Sequence, residues 1–121
     1  MSLATYIKSA DWKTEKHAPV IDAPATVASS VPFDVEVSVG KEIPHPNTIE
    51  HHIAWIALYY VPEGGQFPIE LGRAEFSAHG NVSTAPVAKV SVTLDKPGTL
   101  RAVAYCNLHG LWEGEMVIGV G

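Results

Sequence analysis

The residues best equipped for chemistry in this chain are its one cysteine, Cys106, and its six histidines. Three positions separate Cys106 from His109 in the stretch Cys106-Asn107-Leu108-His109-Gly110-Leu111-Trp112. Alone, that spacing is weak, because a lone cysteine most often serves as a small buried hydrophobe. Cys106 shares alternation parity with Leu100, Ala102 and Ala104, as a core thiol would. The histidines change the balance: His17, His45, His51, His52 and His109 all fall in segments that read as loops or strand ends. One thiol among several imidazoles has the composition of a metal site. It cannot build the cysteine-rich tetrahedron of structural zinc, and it suits iron or copper better. A type 1 copper site would use Cys106, His109, one upstream histidine and Met116 as a distant axial ligand, leaving other histidines without work. Iron would employ more of them. A third reading is an interaction domain with an incidental histidine cluster.

The elements that must position these residues read as strands. Phe33 to Val39 alternates, with Phe33, Val35, Val37 and Val39 on one face and Asp34, Glu36 and Ser38 on the other, the period of a half-buried strand. Ile53 to Tyr60 is apolar on both faces, which fits a central strand or one covered by another subunit. Residues 69–77, 88–94, 99–106 and 115–120 are further strands, with turns at 62–65, 79–81 and 96–98. No helix longer than about a turn is expected. The pattern predicts an all-β chain, a Greek-key, immunoglobulin-like β-sandwich of about seven strands in a single domain, 1–121. Residues 11–19 and 40–52 are polar, proline-bearing loops that carry four of the six histidines. Pro44 and Pro46 stiffen the second loop, and Asn47 is structural.

Composition narrows the function classes. The chain has 121 residues, 46% hydrophobic and 17% charged, as a globular domain does. Thirteen acids against eight bases give a formal charge of −5, and no clustered basic face for nucleic acid is visible. No stretch reaches the roughly eighteen apolar residues of a membrane span. The N-terminus lacks the apolar run of a signal peptide, and one cysteine cannot form an intrachain disulfide. The expectation is a cytoplasmic protein with Cys106 kept as a thiol.

Four separated segments carry a resemblance: Glu15-Lys16-His17-Ala18-Pro19, Ile43-Pro44-His45-Pro46-Asn47, Glu50-His51-His52-Ile53 and the Cys106–Trp112 stretch. Together, from Asp11-Trp12 to the C-terminus, and with Glu63-Gly64 and Phe76–Gly80, they resemble the superoxide reductases, in particular the one-iron, neelaredoxin-type members. Two-iron relatives have an added domain whose iron is held by four cysteines, which this chain lacks.

The resemblance implies one-electron reduction of superoxide to hydrogen peroxide at a single non-haem iron, Fe2+/Fe3+, one per chain. His17, His45, His51 and His109 would be its equatorial ligands and Cys106 its axial thiolate, leaving one open position opposite sulfur. Axial thiolates push electron density toward iron. Glu15 would coordinate only the ferric state, and Lys16 would attract superoxide and assist proton delivery. His52 and His79 have no ligand role in the pattern. Backbone amides of Leu108 and His109 are expected to donate to the sulfur, while Trp55 and Trp112 are expected to pack. The family further implies a small electron donor such as rubredoxin and a homotetramer. The competing function is a redox carrier without catalysis, iron or copper, which would gain nothing from an open position.

Overall fold

The computed structural model describes residues 1–121. After a short 3-10 turn at Leu3–Thr5, eight strands follow: β1 (Val20–Asp22), β2 (Thr26–Val27), β3 (Phe33–Ser38), β4 (Ile53–Pro62), β5 (Ile69–Glu75), β6 (Val87–Val92), β7 (Gly98–Cys106) and β8 (Gly110–Val120). They form two sheets, ordered β1-β3-β6 and β2-β8-β7-β4-β5. All neighbours run antiparallel except β2 and β8, which pair in parallel. The chain crosses between sheets at β1 to β2, β2 to β3, β3 to β4, β5 to β6 and β6 to β7, which gives the Greek-key, immunoglobulin-like sandwich expected from the alternation.

Alternation explains the core. Val35 and Val37 of β3, Ile56 and Leu58 of β4, and Leu100, Ala102, Ala104 and Cys106 of β7 are all buried in one cluster between the sheets. β4 is double-faced for the reason its sequence implies. It lies inside the five-stranded sheet, with Ile53, Ile56, Leu58 and Tyr60 in the core and half-buried Trp55 and Tyr59 elsewhere along it. The longest strands, β4, β7 and β8, share one continuous ladder, and its end at Cys106 and Gly110 carries the cysteine turn. No helix is long and apolar enough to cross a membrane.

Candidate metal centre

The Cys-x-x-His spacing is the spacing of a hairpin. β7 ends at Cys106 and β8 begins at Gly110, its ladder partner, so Asn107, Leu108 and His109 form a three-residue loop. Gly110 closes that loop at φ +81°, a left-handed backbone that glycine adopts without penalty. The two corners of the turn then face each other, with Cys106 Sγ 3.7 Å from His109 Nδ1. The cysteine is buried at the end of the core, and the histidine is exposed.

Two loops bring the other imidazoles to this corner. Asp11 organises the first: its carbonyl accepts from the Thr14 and Glu15 amides, and its carboxylate accepts from the Lys13 amide at 2.9 Å. The loop then delivers buried His17 and runs on through Ala18 and Pro19. At Pro19 it lies against β8, where a Cβ on Gly114 would sit 2.3 Å from the Pro19 carbonyl oxygen. In the second loop, the Asn47 amide donates to Ser83 Oγ and to the Thr84 carbonyl, each at 3.1 Å. His51 is held at both ends of its peptide, since its carbonyl accepts from the Thr48 amide and its amide donates to Thr48 Oγ1.

The four imidazoles close into a circuit. Neighbouring ring centroids lie 4.8 Å apart for His17–His45, 4.6 Å for His45–His51, 4.9 Å for His51–His109 and 4.8 Å for His109–His17. Each neighbouring pair meets edge to face, and the His17–His51 diagonal is 5.9 Å. His17 Nε2 and His51 Nε2 approach His109 Nδ1 to 3.1 and 3.2 Å. The ligand atoms of His17, His51, His109 and Cys106 all lie within 4.8 Å of one another.

Hydrogen bonds outside the circuit set the tautomers within it. A carboxylate and a carbonyl can only accept, so His17 Nδ1–H donates to Glu15 Oε1 at 2.8 Å and His45 Nδ1–H donates to the Pro46 carbonyl at 2.6 Å. The Nε2 atoms of both rings are left as lone pairs. His45 Nε2 is buried and has no protein partner. Buried polar atoms are normally satisfied, so the unpartnered His45 Nε2 is a lone pair available to a cation. Burial also lowers the pKa of His45 to about 4 and that of His51 below its usual range, with neighbouring positive charge adding to the effect at each. Both rings are therefore neutral at pH 7, as ligation requires. Four imidazoles and one cysteine fit a mid-row transition metal such as iron.

Comparison with known proteins places this geometry. The model of the family described as Desulfoferrodoxin matches residues 9–115. The chain belongs to the desulfoferrodoxin family. A superoxide reductase from Pyrococcus horikoshii is 57% identical over 110 residues, covering 91% of this chain and 93% of the relative. A neelaredoxin from Megalodesulfovibrio gigas is 43% identical over 129 residues, covering 99% of each. The crystal structure of a putative superoxide reductase from Thermotoga maritima superposes with a TM-score of 0.96 at 46% identity, covering 100% of this chain and 98% of that one.

Within this desulfoferrodoxin-family fold the remaining candidates fall as follows. Glu15 is half-buried and accepts twice from His17, through the backbone amide at 3.0 Å and the ring at 2.8 Å. The ring contact, followed by the backbone one, holds its carboxyl below the usual range. The Glu15 carboxylate thus sits behind His17, outside the circuit. Lys16 is half-buried and lacks a carboxylate partner, since the Lys and Arg ion pairs are Lys41–Asp22, Lys89–Glu36 and Arg101–Glu115. Its charge contributes to disfavouring protonation of His45 and His51. His52 turns away, its Nδ1 bonded to the Thr48 carbonyl at 2.9 Å, and His79 is exposed in a turn.

Two expectations change. Met116 pairs with Leu100, six residues along β7 from Cys106. At about 3.3 Å per residue it stands roughly 20 Å from the thiol, which removes Met116 as the axial ligand of a type 1 copper site. The amides of Leu108 and His109 make no hydrogen bond to sulfur, whose one polar contact within that range is His109 Nδ1. Trp112 packs as expected, but on the site itself. Its ring stacks on His17, with centroids 5.0 Å apart and planes at 16°, and its Nε1–H donates to the His109 carbonyl at 3.2 Å. An aromatic three residues past His109 in the sequence was the available signal for that role.

Proposed function

We propose that the chain is a superoxide reductase that holds one iron through His17, His45, His51, His109 and Cys106. The observation that carries this reading is the closed circuit of four imidazoles beside a buried thiol, with two lone pairs aimed inward by outward hydrogen bonds. It occurs in a family whose relatives are named superoxide reductase and neelaredoxin. One circuit and one cysteine support one iron per chain.

When bound, the iron supplies the single electron that reduces superoxide, and that reduction also consumes two protons. The chain's residues do the rest. The His17 and His45 rings are held with Nδ1–H turned outward by Glu15 and Pro46, and Trp112 fixes the plane of His17. Cys106 enters as a thiolate, buried where water cannot compete for it. Lys16 Nζ, free of any carboxylate, attracts the anion to an otherwise acidic protein and holds a proton for the product. Glu15 accepts the hydrogen bond from His17 Nδ1–H in the structure described and is available to the oxidised metal by a swing of its loop.

The donor is a small redox protein such as rubredoxin, the compartment is the cytoplasm, and the working form is a homotetramer. Support for assembly is an apolar hollow of about 310 Å³ lined by Leu3, Ile7, Trp55, Tyr59, Val103 and Leu111. The test of the reaction is stoichiometric: pre-reduced protein mixed with superoxide yields one hydrogen peroxide per superoxide and no dioxygen. Dioxygen released in equal amount with peroxide would mark dismutation instead.

A further inference from the structure

We propose that Asn107 is the positioning residue that locks the His51 loop onto the cysteine turn. β4 and β7 stop pairing side by side at Ile53 and Cys106. One backbone rung follows, from the Asn107 amide to the His52 carbonyl at 3.2 Å. Beyond that rung the chains diverge, and the Asn107 side chain takes over the ladder. Its Oδ1 accepts from the His52 amide at 2.8 Å, and its Nδ2–H donates to the Glu50 carbonyl at 3.1 Å. These bonds bracket His51, whose own amide and carbonyl are both engaged by Thr48. Asn107 itself is the residue after Cys106 and two before His109. A single carboxamide thereby sets the height of His51 relative to the thiol and to His109, whose Nδ1 meets His51 Nε2 at 3.2 Å.

The type of side chain matters. The two groups to be joined are an N–H and a C=O, so the bridge needs one acceptor and one donor at a carboxamide's separation. Aspartate keeps the acceptor but sets a carboxylate oxygen against the Glu50 carbonyl. Alanine keeps neither. Groups that orient metal ligands from behind typically matter at the level of about ten- to hundredfold in affinity.

The inference rests on the iron reading above, and its test separates the two. Asn107→Ala and Asn107→Asp are compared with wild type in metal-free and iron-loaded forms. Metal-free protein is followed by thermal melting and by exchange of the His52 amide hydrogen. Loaded protein is followed by chelator competition and by the position of the thiolate-to-iron charge-transfer band. The expected result for Asn107→Ala is faster His52 exchange, a nearly unchanged metal-free melt, iron affinity lower by roughly tenfold or more and a shifted band. Asn107→Asp falls between the two, and it carries the comparison if the alanine variant does not fold. Affinity within about twofold of wild type with the band in place would overturn the proposal, and so would a loss confined to the metal-free melt. A wild type without the band would bring down the iron reading and this inference with it, whereas unchanged variants beside a wild type that shows the band would bring down the inference alone.

Discussion

A protein of formal charge −5 repels a small anion at long range, so the role proposed for Lys16 is local attraction on the last approach of superoxide. Lys16→Ala is expected to slow the bimolecular reaction by roughly tenfold or more, with iron content unchanged, as measured by pulse radiolysis. Added salt slows wild type more than the variant, because screening removes an attraction the variant has already lost. Equal rates at low salt would make Lys16 an ordinary surface residue. Glu15 acts through His17 in the structure described, so Glu15→Ala is expected to weaken iron retention by about tenfold in chelator competition. His45 gives a pH signature in the metal-free chain. Its folded pKa of about 4 lies below its ordinary 6.5, so the fold prefers the neutral ring. That preference stabilises the fold fully above pH 6.5, is lost as pH falls toward 4, and changes no further below. Melting temperature should therefore drop across this window and drop less in His45→Gln; identical slopes would refute the assignment.

Among the elements, the strands with a sustained apolar pattern between turn signals were legible, and those without it were not. β3, read from its alternation, β4, read from its doubly apolar run, and β5, β6 and β7 lie within about two residues of their expected bounds. β1 and β2 are three and two residues long, too short for any period to register, and they exist because β3 and β8 offer edges to pair with. The first half of β8, Gly110 to Gly114, carries two glycines and reads as loop, yet it pairs with β7 along its whole length. The site divides in the same way. A cysteine and loop histidines are visible as residue types, and the motif order narrows them further. The groups that orient them are not visible, because the Asn107 carboxamide finds Glu50 from 57 residues away and His17 meets His109 across 92. Close approach of elements also carries a prediction. Gly114 on β8 touches the loop that follows His17, so Gly114→Ala must push the Pro19 carbonyl aside. A loss of about 1–3 kcal/mol in denaturant unfolding is expected, as for other overpacked sites. Unchanged stability would mean that the His17 loop yields freely.

For the molecule as a whole, the sandwich is a rigid frame that brings two polar loops and one hairpin turn to the end of its longest ladder. Chemistry is concentrated at that corner, while the apolar hollow around Trp55 and Leu111 lies along the same ladder of β4, β7 and β8, beside the N-terminal segment. If that hollow is covered by further copies, sedimentation at micromolar concentration gives a tetramer, and Trp55→Glu shifts the equilibrium toward smaller species. A clean wild-type monomer would leave the hollow as an ordinary feature of the sheet. The composition of the proposed metal centre is open to one direct measurement. Metal analysis is combined with the optical spectrum of oxidised wild type and of Cys106→Ser. One iron per chain is expected, with a thiolate-to-iron charge-transfer band that reductant bleaches and the serine variant lacks. Fully active protein with stoichiometric copper or zinc in place of iron, or a band that survives in Cys106→Ser, would contradict it.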